Sequence, residues 1–335
     1  MKLPNYFHYL KKRCRANSGR RSIAFPEAQD MRVMVAAKVL LLEGIFDRVW
    51  LFISKEQGVA LANQWGIDLF EVMDGIEWVS SPAILAGDVR KFLQLRRQGK
   101  TERNLEEWSV SPLYQAGYLV SQRRVSVVLA GATFTTAEVI RAGMRTVGLG
   151  ADLKYVSGSF MMVSNDDDQR SILFADCGVN VDPLSLQLVE IAESSVDTWQ
   201  TLTDIEPVVA FLSFSTLGSA QHEKAKKMAE AYRIFSKKNP DISCMGEVQF
   251  DASWDPDVGR RKGLHKTYSS GANIFIFPNL DAGNIAYKMA QYLAGYGAYG
   301  PILQGLKHPY SDLSRGCRTE DIIVSACLNQ LRCLD

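Results

Sequence analysis

Apolar residues in this chain fall into short, almost unbroken runs, separated by longer stretches in which they recur every three or four positions. The runs RSIAF (21–25), RVWLF (48–52), VSVVLAG (125–131), SILFAD (171–176), VVAFLSF (208–214) and NIFIFP (273–278) read as strands buried on both faces, as in a parallel sheet. Helical spacing marks 31–42, 184–198, 223–237 and 284–293 between them. Strand and helix in alternation predict an α/β fold with a doubly wound sheet. In such folds ligands meet the loops beyond the carboxyl ends of the strands. The segments placed there are PEAQDMR, GATFTTAEVIR, STLGS and the loop before the last helix.

A length of 335 residues predicts two domains, and the glycine-rich joins at 148–150 and 295–300 are the candidate boundaries. Lys and Arg number 38 against 37 Asp and Glu, so the net charge of +1 gives no global argument for a nucleic-acid partner or an anionic membrane. Small anionic ligands remain open, because a few converging arginines do not show in a sum. The six cysteines carry no CxxC pair and the four histidines no HxH or HExxH spacing, which argues for reduced thiols in a cytoplasmic protein and against a metal site. The longest uncharged run, 289–306, holds four glycines and a proline and reads as a helix end followed by a loop rather than a membrane span. The basic N-terminus lacks the apolar stretch of a signal peptide and reads as a solvated helix around 6–16.

Three patterns are decoys. GLGADL (148–153) lacks the third glycine of a dinucleotide fingerprint and follows no strand. The tail GKT (99–101) lacks the first glycine of a phosphate-binding loop and lies in what reads as polar helix. Tyr287, Tyr292, Tyr296 and Tyr299 suit core and loop packing better than a stacking platform.

The sharpest chemistry lies in GLKHPYSDLSRGCRTEDI (305–322). It joins a hydroxyl (Ser314), a guanidinium (Arg315), a glycine and a carboxylate (Asp321), with Thr319 as the expected N-cap of the last helix. With RSIAFPEAQDMRVMVAA, LQLRRQGKT, LAGATFTTAEVIRAG, FADCGVNVDP, LSFSTLGSA, GEVQFDAS, GANIFIFPNLDAGNIAYK and GPILQGL, the chain closely resembles the phosphate acetyltransferase (phosphotransacetylase) family in its short single-module form. The resemblance runs from about Arg21 to Ile323. It implies two doubly wound α/β domains with an active-site cleft between them: 1–150 with a returning 299–335, and 151–298. It also implies a homodimer, and reversible acetyl transfer between acetyl phosphate and coenzyme A, the coenzyme being a substrate and no cofactor being needed.

By the same resemblance Arg315 binds the phosphoryl group, with Arg141 and Arg96 as further candidates, and Arg32 contacts substrate or coenzyme. Arginine suits that task because its fork grips phosphate oxygens at two points. Ser314, assisted by Thr136, donates to the carbonyl oxygen as it becomes tetrahedral. Asp321 is the base for the coenzyme thiol. A free thiol near pKa 8.5 and a free Asp near 3.9 differ by about 4.6 units, or about 6 kcal/mol, and a first-turn position is expected to lower the Asp further. Deprotonation is therefore expected to be concerted with attack. Both substrates share one cleft, and Cys317 reads as a packed bystander rather than an acyl carrier. Ser311, where the family usually has Asn, and Thr133-Phe134-Thr135, where it usually carries His and Ser, depart from the pattern. Two alternatives stay open: a phosphate butyryltransferase or propionyl-using homologue, and a catalytically silent acetyl-CoA sensor like the related domain of some malic enzymes.

Overall fold

The computed structural model describes residues 4–17, 21–81, 83–96, 104–164, 170–264 and 271–333. The expected decoy segment 99–101 lies outside them. The chain divides into two compact units, Met1–Ala151 with Leu306–Asp335, and Asp152–Gly305.

The first unit holds strands β1 (Ser22–Phe25), β2 (Arg48–Leu51), β3 (Ile76–Trp78), β4 (Val127–Ala130) and β11 (Tyr310–Asp312), every pair parallel, in the order β11-β4-β1-β2-β3. Its helices are α1 (Asn5–Ala16), α2 (Met31–Leu42), α3 (Lys55–Gln64), α4 (Ala83–Arg96), α5 (Leu105–Val110), α6 (Pro112–Ser121), α7 (Thr136–Thr146) and α13 (Thr319–Leu331). They pack in two groups, α13 with α1 and α2, and α6 with α4, α5 and α7, and both α13 and α6 touch β4. Right-handed crossovers on a sheet whose strand order reverses put such groups on opposite faces. β4 is consequently buried along its whole length, and α13 is buried on every side from Ile322 to Gln330. The N-terminal helix is less solvated than its charge suggests, because Tyr6, Phe7, Leu10 and Cys14 form a buried face.

The second unit is a mixed sheet, which corrects the expectation of parallel strands throughout. Its strands are β5 (Ser157–Val163), β6 (Ser171–Ala175), β7 (Val208–Leu212), β8 (Ser243–Val248), β9 (Ile274–Ile276) and β10 (Gly297–Gln304), ordered β10-β5-β6-β9-β7-β8. The β10–β5 and β5–β6 pairs are antiparallel and the rest parallel. Helices α8 (Ser185–Leu202), α9 (Glu223–Lys238), α10 (Phe250–Trp254), α11 (Pro256–Arg261) and α12 (Leu280–Leu293) accompany it.

Strand β10 overturns two expectations. The run 289–306 is not a helix end and loop: α12 stops at Leu293, and 297–304 pair with β5. The glycines and proline that suggested a loop sit at an interruption of the register between Tyr299 and Ile302. A bulge tolerates a residue without an N–H, and a Cβ on Gly300 would lie 2.6 Å from the Ser159 carbonyl oxygen. Because β10 completes this sheet, the chain returns to the first unit at 305/306 rather than 298/299. Among the tyrosines, Tyr287 and Tyr299 are core, Tyr287 stacking on Phe160, whereas Tyr292 is exposed.

Candidate functional site

Counted within the first unit alone, the sheet runs 3-2-1-4-5, and the direction of winding reverses between β1 and β4. The loops leaving neighbouring parallel strands diverge at such a point, and the gap they leave is where ligands bind in open α/β sheets. Three segments meet there: 26–30 after β1, 131–135 after β4, and 313–318 after β11.

Glu27 ties the first loop to the second. Its buried carboxylate accepts from the backbone N–H groups of Gly131 (2.7 Å), Ala132 (3.0 Å), Thr133 (2.5 Å) and Phe134 (2.8 Å), and from the Thr133 hydroxyl (2.9 Å). Successive amides turned inward form a concave anion site. Here the occupant is the protein's own side chain. Arg32 ties in the third loop. Nε and Nη2 donate to Asp30 (3.0 and 2.6 Å), Nη2 also to the Ala132 carbonyl (3.0 Å), and Nη1 to the carbonyls of Arg315 (2.9 Å) and Cys317 (2.8 Å). All five guanidinium protons are thereby committed. The expectation that Arg32 contacts substrate is not met in this arrangement; it is a strap that holds the loop carrying Arg315.

At the start of α7, Thr135 caps the helix reciprocally with Glu138. Thr136, the next residue, donates its hydroxyl to Asp312 Oδ2 at 2.6 Å. Asp312 closes β11 with its carboxyl pushed up to about 7, chiefly by burial and further by Glu27, against the pull of Thr136, the Leu313 amide and Arg315. Gly131 is required beside it, because a Cβ there would collide with Asp312 Oδ1 and the Leu313 backbone.

Ser314 and Arg315 are exposed. The Ser314 oxygen accepts from the Gly316 N–H at 3.3 Å, and among the described residues its own proton goes to no acceptor. Neither Arg315 nor Arg141 is hydrogen-bonded or ion-paired among the described residues, yet both help to hold the Glu138 carboxyl below its usual range. Two uncommitted guanidinium groups therefore share one neighbourhood, beside the amino end of α7. Arg96 does not join them. It donates to the Thr146 and Val147 carbonyls (2.6 and 3.3 Å) at the other end of that helix, about 15 Å along its axis from Thr136.

Asp321 stands at the third position of α13, where its Oδ2 accepts from the Arg318 N–H at 2.8 Å. Arg318, not Thr319, occupies the cap. The expectation that the helix dipole lowers this carboxyl is also corrected: burial raises it, Glu320 adds to the rise, and the Arg318 amide and charge offset only part. Cys317 is buried, and its thiol is pushed up to about 12, so it stays protonated and unreactive.

In the second unit the STLGS segment is also built round an internal carboxylate, Glu247, which accepts from the Ser215 hydroxyl (2.8 Å) and the Gly218 amide (2.7 Å). Asp176 likewise takes the amides of Gly178, Val179 and Asn180. Sequence reasoning passed over Glu27 and Asp312. The available signal was position, an acid directly beyond an apolar strand in PEAQDMR and YSDLSRG.

Comparison with known proteins agrees with this arrangement. The family model described as phosphate acetyl/butaryl transferase matches residues 7–329. The phosphate acetyltransferase of Acetivibrio thermocellus is 36% identical, over 95% of this chain and 96% of that protein. That of Bacillus subtilis is 35% identical over 93% and 94%. The crystal structure of a phosphotransacetylase from Streptococcus pyogenes superposes with a TM-score of 0.87 at 31% identity, covering 99% of both chains. The chain belongs to the phosphate acetyl/butaryl transferase family.

Proposed function

We propose that the loop between β11 and α13 transfers an acetyl group directly between acetyl phosphate and coenzyme A. The chain is an acyltransferase, and its full-length relatives are phosphate acetyltransferases. The observation that carries the reading is the grouping of an undonated Ser314 hydroxyl and the uncommitted Arg315 and Arg141 on loops at the switch point, with Asp321 a turn further on.

In this reading Arg315 and Arg141 grip the phosphoryl oxygens, with Glu138 as their counter-charge when the site is empty. Ser314 turns its free proton toward the carbonyl oxygen as negative charge grows there. Asp321 accepts the thiol proton as sulfur attacks. Its raised carboxyl narrows the gap to the thiol, and coupling proton transfer to attack avoids forming a free thiolate. A protonated, buried Cys317 leaves no place for an acyl-enzyme, so both substrates are bound together and orientation supplies much of the rate. No cofactor takes part. A homodimer fits the resemblance and gives cover to Ile285, Met289, Tyr292 and Leu293, exposed along one side of α12. A cytoplasmic location fits six cysteines, all free. No helix among the described residues is long and apolar enough to cross a membrane.

The experiment is phosphate-dependent release of the thiol from acetyl-CoA, with the reverse reaction run on acetyl and butyryl phosphate. A higher kcat/KM for acetyl phosphate is expected, and a Ser314→Ala loss of about 10²–10³-fold in kcat. Preference for the butyryl compound would transfer the reading to the longer acyl chain. No turnover at all would make the chain a sensor.

A further inference from the structure

Asp312 is the one acid of the 312–321 loop for which the reaction gives no task, and its surroundings are unusual. It is 1% exposed, and Oδ1 is buried without a hydrogen-bond partner of good geometry. Its other oxygen lies 2.6 Å from the Thr136 hydroxyl. The groups facing it are Thr136 from α7, Glu27 from the loop after β1, Arg315 on its own loop, and Tyr310 two residues back on β11, itself beside Tyr114 of α6. A buried carboxylate with one bare oxygen and a second buried acid nearby is poorly stabilised as an anion, whereas the neutral acid leaves only a weak acceptor unpaired.

A hydroxyl has a single proton to give. When Asp312 is ionised, the Thr136 proton must point at Oδ2, and Thr136 offers a ligand only lone pairs. When Asp312 is protonated, the acid proton can occupy the same 2.6 Å contact from the other side, and the Thr136 proton is released toward the open face of the loop. We propose that Asp312 is a positioning residue which, in its neutral form, turns the Thr136 hydroxyl into a donor for the acyl phosphate. This rests on the acetyl-transfer reading above and adds to it a proton taken from solvent when the anionic substrate binds. No bond in the substrate changes in that step. An arriving phosphoryl group adds negative charge beside Glu27 and Asp312, which favours the neutral acid further. Burial already pushes Asp312 to about 7, so the form that orients Thr136 is abundant at neutral pH and scarce by pH 9.

The test is kcat/KM for acetyl phosphate at saturating coenzyme A from pH 5.5 to 9, in the native chain, Asp312→Asn, Thr136→Val and the double variant. The substrate and the coenzyme thiol titrate alike in all four, so ratios between proteins isolate Asp312. An Asn amide can donate to Thr136 at every pH. The ratio of Asp312→Asn to native should therefore rise about tenfold or more between pH 7 and 9, following one titrating group. In the Thr136→Val background the same substitution should leave the pH profile unchanged. A flat ratio, or a pH-dependent ratio that survives without the Thr136 hydroxyl, overturns the proposal. Should Asp312→Asn fail to fold, Thr136→Ser must keep the native alkaline limb and Thr136→Val must lose it; the opposite result overturns it equally. Native turnover of acetyl phosphate, read in the same assay, separates failure of this inference from failure of the acetyl-transfer reading.

Discussion

Two acids on one loop show how burial and local charge divide the work. Asp321 is partly covered and takes one backbone N–H, while Asp312 is sealed in with a single hydroxyl for company. In both, desolvation outweighs the groups that favour the anion. The consequence for Asp312 is measurable in stability. Its folded-state pKa of about 7 lies above the value of about 3.9 expected in the unfolded chain. Between those two the folded protein holds a proton that the unfolded chain has released. This contribution is therefore complete below about pH 4 and falls by about 1.4 kcal/mol per unit until about pH 7, where it levels. Urea unfolding from pH 4 to 8 should show Asp312→Asn losing less stability than the native chain over that window. Parallel curves would contradict the burial of a titrating acid. Ser314, Arg315 and Asp321 were legible because they stand within one short motif. The role of Asp312 was not, since its partner Thr136 is 176 positions away.

At the scale of elements, apolar runs flanked by helical periodicity located β1, β2, β4, β6, β7 and β9 to within a few residues. The strands that escaped, such as β10, mix glycine, proline and tyrosine with their apolar residues, and only pairing with β5 reveals them. The loops that bear the site owe their shape to partners no local pattern predicts. Glu27 reaches amides 104 to 107 positions ahead. That contact is also the most sensitive part of the scaffold. In Glu27→Gln one acceptor oxygen becomes an NH₂ group facing backbone donors, which leaves at least two buried N–H groups unpaired. The expected cost is on the order of 2–6 kcal/mol in unfolding free energy, read by denaturant titration, with loss of transferase activity in the folded fraction. A change below about 0.5 kcal/mol would show that the 131–134 loop holds its shape unaided.

At the scale of the whole chain, length and strand–helix alternation were enough for two α/β units, and the ordered set of segments was enough for the family. The return of the chain was misplaced because a glycine-rich join looks like a boundary whether or not it forms a strand. Every residue assigned a part in acetyl transfer belongs to the first unit, grouped where its sheet changes winding direction. That grouping is put most directly at risk by Asp321→Asn, with kcat measured for acetyl-CoA formation and coenzyme A affinity measured by equilibrium titration. If this carboxylate receives the thiol proton, kcat should fall by about 10²–10⁴-fold while the coenzyme Kd stays within about threefold of the native value. A kcat near native, or a loss explained wholly by weaker coenzyme binding, would contradict the account.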